Sequence, residues 1–184
     1  MRLRDARFLV LDVVTTGPDP AQDKVIELAW VTFHHGAIHG FNSTLVDPQE
    51  NIPTAASHLY GITDDMVRDA PTLKCALIQV EQLLPHINAL VAHNVPQDLG
   101  FLPELHKPAI CTLAWTRRVW PERDHRLQCL GEEMGLRQQL PDMHRVAHRG
   151  LPDAMLTAMV LHQLIARSPE DLTLVDLVRE QGLL

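Results

Sequence analysis

The sequence predicts an α/β fold in which helices cover a mixed sheet. Three predicted strands come first, at residues 7–14, 24–33 and 38–46; the first is apolar and β-branched and the second is mostly apolar. The tight turn at His35-Gly36 favours antiparallel pairing between the last two. Helical patterns then alternate with short apolar runs at 89–92 and 109–111, which are typical of buried strands. Strands followed by alternating helices and strands indicate one sheet with helices packed on it.

The segments between these strands carry helix patterns and helix boundary signals. Thr63 is expected to be an N-cap, Gly135 to end a helix, and Pro169 to occupy the first turn of the last helix. An irregular loop is expected over 138–150. The predicted helices span 54–59, a turn after Thr63, a segment from Thr72 to Ile87, 97–105, 112–120, 126–134, 151–166 and a last segment from Ser168 to about Gln181.

Length and composition limit the class of protein. A chain of 184 residues with 46% apolar and 21% charged residues is expected to form a single domain, 1–184, in the cytoplasm. The first residues lead into too short an apolar run for a signal peptide or a membrane span. Three cysteines without a CxxC pair argue against structural zinc and against a disulfide framework. A net charge of −7 means that any nucleic acid must bind locally, through metal ions and a small cationic rim.

Four residues at predicted element ends point to metal-dependent chemistry. Asp12 ends the first strand, Asp98 follows the central strand, and His148 and Asp153 flank the start of a late helix. Carboxylates that converge at one sheet edge repel unless cations neutralise them, and their oxygens suit Mg²⁺ or Mn²⁺. Two such ions can hold both the attacking and the leaving oxygens of a phosphodiester. Taken singly, each aspartate also has an ordinary explanation as a turn or helix-start residue.

A histidine beside such a site can accept a proton from the attacking water, because imidazoles titrate near neutral pH. Both His144 and His148 lie in the right region of the chain. The spacing of His148 to Asp153 makes it the candidate base.

The residues around these positions resemble the DnaQ-like DEDDh 3′→5′ exonucleases, the group that includes the proofreading subunit of bacterial DNA polymerase III and exodeoxyribonuclease X. The resemblance runs from about Phe8 to Ile165, and the 110–121 region is most similar to the exodeoxyribonuclease X branch. Its three motifs are Asp12-x-x-Thr15-Thr16-Gly17, Ala92-His93-Asn94-x-x-x-Asp98 and His148-Arg149-x-x-x-Asp153-Ala154.

This resemblance implies an RNase H-like fold with a mixed five-stranded sheet whose first three strands are antiparallel. It implies removal of nucleoside monophosphates from single-stranded or frayed 3′ ends of DNA, or of RNA, with two divalent cations, Mg²⁺ or Mn²⁺. Asp12 would bind both metals, Asp98 the second and Asp153 the first, with His148 as general base. Thr15, Thr16 and Gly17 would line the terminal-nucleotide pocket, and His93 and Asn94 would have structural or substrate-edge roles. No membrane is expected, and a protein partner or a homodimer is left open.

The chain departs from the family pattern at three places. Val14 occupies the position of a metal-binding glutamate, so the first metal should bind more weakly and activity should fall. Glu27, on the adjacent strand, is the nearest acid within a motif. Pro96-Gln97 stands before Asp98, where the family usually has an aromatic residue. Gly150 replaces the usual alanine and is expected to loosen the loop that carries the base.

Two further readings remain beside an exonuclease with impaired activity. In one, the chain keeps the fold as a single-stranded 3′-end binding or protein-interaction module without catalysis. Alternatively, Val14 is an engineered replacement that disables the enzyme.

Overall fold

The computed structural model describes residues 1–142 and 148–183, and its centre is one five-stranded sheet in the order β3-β2-β1-β4-β5. β1, β2 and β3 pair antiparallel, and β4 and β5 continue the sheet in parallel from β1. The predicted RNase H-like arrangement, with the first three strands antiparallel, is therefore confirmed. The strands are β1 Phe8–Thr15, β2 Val25–His34, β3 Ala37–Leu45, β4 Ala89–Ala92 and β5 Ala109–Cys111.

Helices cover both faces of the sheet. The longest is the seventeen-residue α7, and no helix in residues 1–142 or 148–183 is long and apolar enough to cross a membrane. The helices are α1 Thr54–Tyr60, α2 Asp64–Val67, α3 Leu73–Leu83, α4 Val95–Asp98, α5 Thr112–Val119, α6 Leu127–Glu133, α7 Gly150–Ala166 and α8 Leu174–Gln181.

β1 is buried on both faces, which explains its continuous apolar run. Phe8 and Val10 belong to the core that also holds the buried side of α7. Leu9 and Leu11 belong to a second core that includes residues of α3. Because side chains alternate along a strand, Asp12 falls on the face that packs against α7. The "α7 face" of the sheet is therefore the one on which a site can form.

The predicted helix over 97–105 is wrong for most of its length. α4 ends at Asp98 and continues only as a 3₁₀ turn, Leu99–Phe101. Gly100 lowers helix stability, and Pro103 disfavours the helical conformation of the residue before it. Leu102 accordingly has φ −126° and ψ 51°.

The last helix begins later than Pro169 predicts. Residues 172–174 pair with the N-terminus, where Leu3 N–H donates to Leu172 O at 2.9 Å and Leu174 N–H donates to Met1 O at 3.2 Å. These bonds keep the segment extended, and α8 starts after Thr173, whose hydroxyl accepts from Asp176 N–H at 3.2 Å. The loop predicted over 138–150 lies partly outside the described residues. His144 belongs to the part that is not described.

Candidate active site

Asp12 lies near the end of β1 on the α7 face, directly opposite Ala29 of β2. Burial raises the pKa of its carboxyl well above the ordinary value, and the nearby carboxylates of Asp98, Asp153 and Glu27 raise it further. The sheet therefore holds a carboxyl group where its negative charge is costly.

Asp98 reaches the same place from α4, the short helix that follows β4. Its side chain is 6% exposed, and one oxygen accepts from the N–H of Val13 at 3.4 Å. Burial raises its pKa to about 7, an effect that Asp153 strengthens and backbone hydrogen bonds oppose. The N–H of Asp98 donates to Asn94 O at 3.0 Å, so the turn after β4 fixes the position of the carboxyl group.

Asp153 lies in the first turn of α7. Its Oδ1 accepts from Gln128 Nε2 of α6 at 2.6 Å. Burial raises the pKa of Asp153 to about 6, while the bond from Gln128 and the closeness of His148 lower it. Gln128 therefore fixes one carboxylate oxygen and favours the ionised form. The sequence motifs gave no sign of Gln128, because it lies on another helix.

His148 immediately precedes the first turn of α7. The residue is exposed and has φ 60°, a left-handed conformation that is uncommon for a side chain other than glycine. It influences the pKa of Asp153 both through its charge and through its backbone N–H. The predicted base and this carboxyl group are therefore neighbours.

The structure thus brings Asp12, Asp98 and Asp153 together, with His148 beside Asp153. Within residues 1–142 and 148–183, no three His, Cys, Asp or Glu side chains form a ready-made metal-binding group. The donor set nevertheless fits hard cations, because three neighbouring carboxyl groups with raised pKa values supply oxygen ligands whose mutual repulsion a divalent cation would relieve. Mg²⁺ suits such an open set, since it commonly binds one or two carboxylates and completes its shell with substrate oxygens and water.

Val14 is packed as a core residue. It lies on the α7 face directly opposite Glu27 and is 4% exposed. Its neighbours in a small apolar cluster are Ile26, Ile52, Ala56, Ile62 and Val67. Val14 thus presents a hydrocarbon side chain at this position and offers no ligand to a metal ion.

The turn after β1 is held by Asp23. The Thr16 hydroxyl accepts from Lys24 N–H at 2.9 Å and donates to Asp23 Oδ1 at 3.4 Å. The Thr15 hydroxyl donates to Gly17 O at 2.7 Å. A Cβ at Gly17 would lie 2.5 Å from the Asp23 carboxylate, so only glycine fits here without a shift. Asp23 was missed in the sequence because it matches no motif.

A cavity of about 450 Å³ opens beside this turn. Its lining residues are Val13, Thr15, Thr16, Gly17, Pro18, Ala55, Ala56, Leu59, Tyr60 and Gln97. Burial and the Asp12 charge raise the pKa of Tyr60, so this cavity-lining residue lies near Asp12. Two larger cavities, of about 520 and 510 Å³, involve the β2–β3 turn and His162 of α7, away from the aspartates.

His93 and Asn94 follow β4. Both ring nitrogens of His93 are engaged, Nδ1 with the Thr112 hydroxyl at 2.9 Å and Nε2 with His125 O at 2.7 Å. His93 therefore ties β4 to α5 and to the loop before α6. Asn94 is exposed, and its carbonyl accepts from Gln97 and Asp98 at the start of α4.

Comparison with known proteins places this site in a family. The RNase T exonuclease family matches residues 9–161, a span that includes all three aspartates. Among solved structures, exonuclease X in complex with 5′-overhanging duplex DNA superposes with a TM-score of 0.74 at 29% identity. The match covers 93% of this chain and 99% of that one.

Curated relatives agree with this assignment. The DNA polymerase III epsilon subunit of Aquifex aeolicus is 32% identical, covering 89% of this chain and 82% of that protein. The PolC-type DNA polymerase III of Halalkalibacterium halodurans is 34% identical over 91% of this chain, and the 3′–5′ exonuclease DinG of Bacillus subtilis is 33% identical over 88%. The chain spans only 12% and 18% of those last two relatives. By its fold, the order of its motifs and these matches, the chain belongs to the RNase T exonuclease family, within the DnaQ-like 3′–5′ exonucleases.

Proposed function

We propose that this chain is a metal-dependent 3′→5′ exonuclease of the DEDDh type, acting on single-stranded or frayed 3′ ends of DNA or RNA. The observation that carries the proposal is the convergence of Asp12, Asp98 and Asp153 beside His148 and next to the cavity at Thr15-Thr16-Gly17. The cavity volume of about 450 Å³ suits a nucleotide-sized ligand.

Asp12, Asp98 and Asp153 would hold two divalent cations, Mg²⁺ or Mn²⁺, with Asp12 shared between them. When bound, these ions neutralise the carboxylates and stabilise the negative charge that develops at the scissile phosphate. His148 accepts a proton from the attacking water. Gln128 keeps Asp153 ionised and oriented. The products are a nucleoside monophosphate and a strand shorter by one nucleotide.

The terminal nucleotide would occupy the cavity, with its sugar against the Thr15–Gly17 turn. Leu59 is 58% exposed on the cavity wall and offers an apolar surface to a base. Since the chain has a net charge of −7, binding should depend on these local contacts and on the metals.

Val14 limits the activity in this proposal. A carboxylate at this position would add a ligand beside Asp12, and valine adds none. Each loss of ~1.4 kcal/mol in transition-state stabilisation lowers the rate about tenfold. We expect slow cleavage that is faster with Mn²⁺ than with Mg²⁺, because Mn²⁺ binds a given set of nitrogen and oxygen ligands more tightly.

The test is a cleavage assay on 5′-labelled single-stranded DNA, and on RNA of the same sequence, with Mn²⁺, Mg²⁺ or EDTA. The expected result is a ladder of 3′-shortened products that requires metal and that disappears in Asp12→Asn, a variant of nearly identical size. Equal activity in wild type and Asp12→Asn would show that the site is assigned wrongly.

A second candidate function is supported by the apolar packing of Val14. The chain would then bind single-stranded 3′ ends without cleaving them. This alternative predicts that wild type retains single-stranded DNA at low salt without laddering, whereas Val14→Glu produces a metal-dependent ladder. Absence of retention even at low salt would rule it out.

A further inference from the structure

Glu27 is a buried carboxylate on the α7 face of β2. Its hydrogen bonds go to the residues at the start of α7, and none of them goes to the three aspartates. Its Oε2 accepts from Arg149 Nε at 2.8 Å and from Gly150 N–H at 3.0 Å. Its Oε1 accepts from Arg149 Nη2 at 3.0 Å. The side chain of Glu27 is 4% exposed and that of Arg149 is 30% exposed. We name these three residues the Glu27 brace.

The brace joins β2 to the first turn of α7 across 123 residues of sequence. A two-pronged guanidinium–carboxylate pair fixes orientation as well as distance. The bond from Gly150 N–H satisfies one of the orphan donors at the helix start. Glu27 therefore sets where α7 begins relative to the sheet.

Two candidate catalytic groups lie on either side of this anchor. His148 is the residue before Arg149 and holds the left-handed φ of 60°. Asp153 N–H donates to Arg149 O at 3.1 Å, which makes Arg149 the first carbonyl of the helical ladder. The carboxylate of Asp153 is also held by Gln128 of α6, so a shift of Arg149 would chiefly move His148 relative to the aspartates.

The register of the sheet explains why β2 supplies this anchor. Glu27 lies opposite Val14, and Ala29 lies opposite Asp12, so the brace is two residue pairs along the ladder from the candidate ligand, on the same face of the sheet. Arg149 neutralises the Glu27 charge there. In this arrangement Glu27 supports the site without offering a free carboxylate to a metal ion.

We propose that Glu27 is a positioning residue for the exonuclease reaction, acting through Arg149 and Gly150 to hold His148 against the aspartates. The inference rests on the proposed function. Glu27 touches neither substrate nor the reacting atoms, so its removal should lower kcat and leave KM nearly unchanged. Loss of a residue that supports a site ligand typically costs about 10–100-fold, and we expect that range for Glu27→Gln.

A double-mutant cycle with His148 tests this inference. Cleavage rates are measured for wild type, Glu27→Gln, His148→Ala and the double variant, with Mn²⁺ at saturating oligonucleotide. If Glu27 acts through His148, the double variant is no slower than His148→Ala alone. The proposal would be overturned if the rate losses of the two single variants multiplied in the double variant, or if Glu27→Gln left kcat unchanged.

The matched control is Glu180→Gln, which breaks the Arg118–Glu180 ion pair between α5 and α8, at 2.6 Å. This variant should keep the wild-type rate. Arg149→Lys is the second variant, in case Glu27→Gln fails to fold: it keeps the positive charge but loses the two-pronged geometry, and it should show the same fall in kcat. A wild-type rate in Arg149→Lys would contradict the brace.

A measurement without metal or substrate separates this inference from the proposed function. The ring signals of His148 are recorded by NMR in the metal-free protein. We expect them to shift and broaden in Glu27→Gln and to remain unchanged in Glu180→Gln. If wild type cleaves nothing, the proposed function fails, and these spectra alone decide whether Glu27 positions His148. Unchanged His148 signals in Glu27→Gln would overturn the inference.

Discussion

Val14 packs in the hydrophobic core although it lies close to the candidate metal ligands. It is 4% exposed and lies two residues from Asp12 on the same face of β1. Its apolar neighbours gain from its burial, whereas a carboxylate here would be desolvated next to other carboxylates. Stability and metal affinity therefore favour different residues at this position.

We expect Val14→Glu to lower the stability of the metal-free protein and to make stability depend on metal. Burying an uncompensated polar group costs about 1–3 kcal/mol in proteins, and Mn²⁺ should recover this cost because it binds only the folded state. The measurement is the melting temperature in EDTA and in increasing Mn²⁺. Val14→Gln is the matched control and should lose stability without the same recovery. Equal responses to Mn²⁺ in both variants would show that position 14 does not face the metals.

The candidate site residues were predictable because they stand at element ends in recognisable motifs. Asp98 and Asp153 raise the pKa of Asp12, and Asp153 raises that of Asp98, which agrees with their predicted convergence. The residues that hold them were not predictable. Gln128 reaches Asp153 from another helix, and the Asp23 carboxylate packs closely against Gly17 from within a loop. Such contacts depend on tertiary packing, which leaves no periodic signal in the sequence.

At the scale of elements, the start of α7 is more tightly packed than the sequence suggests. Gly150 was expected to loosen the segment that carries His148. It is instead buried in the first turn, and a Cβ there would lie 3.0 Å from Ala29 Cβ and 3.4 Å from Glu27 Cγ. Gly150 therefore lets α7 approach β2 closely enough for its N–H to reach Glu27.

This packing predicts a specific coupling between positions 29 and 150. Gly150→Ala should destabilise the protein by about 1–3 kcal/mol through overpacking, because the methyl group of Ala29 cannot rotate away. Ala29→Gly removes that methyl group, so Gly150→Ala should cost much less when both changes are present. Urea denaturation of the four proteins measures the coupling. Additive free energies would mean that the two residues do not compete for the same space.

Some element boundaries follow from the local sequence, whereas others are set by tertiary contacts. β4 and β5 occupy the predicted runs at 89–92 and 109–111 because short apolar segments between helices have few other places to lie. The start of α8 could not be predicted from Pro169, since pairing of residues 172–174 with the N-terminus decides it. That pairing joins opposite ends of the chain.

At the scale of the whole molecule, the site concentrates negative charge in a protein that is already acidic. The net charge is −7, and burial together with the repulsion between neighbouring carboxylates raises the pKa values of Asp12 and Asp98, which favours their protonated forms. Bound cations and retained protons are alternative ways of relieving the same repulsion. Metal affinity, stability and pH are therefore linked.

The linkage has a definite sign. Asp98, with a pKa of about 7, and Asp153, with a pKa of about 6, bind protons more tightly when folded than when unfolded. A raised carboxyl pKa lowers the free energy of unfolding as pH rises from the unfolded value to the folded value. In EDTA, these groups should therefore make the protein less stable as pH rises from about 4 to about 7. Added Mn²⁺ should have its largest stabilising effect above that window, where no proton has to be displaced.

The test is a series of melting temperatures across this pH range, in EDTA and in Mn²⁺, for wild type and for Asp98→Asn. The asparagine variant keeps the size of the side chain but cannot titrate, so the difference between the two curves isolates Asp98 from the 11 histidines and other groups. We expect wild type to lose stability relative to Asp98→Asn as pH rises in EDTA, and Mn²⁺ to reduce that difference above about pH 7, where the Asp98 carboxylate is ionised and free to bind. Parallel curves in EDTA would show that the Asp98 carboxyl group titrates normally, and a stabilisation by Mn²⁺ that does not change with pH would show that metal binding does not displace protons from these aspartates.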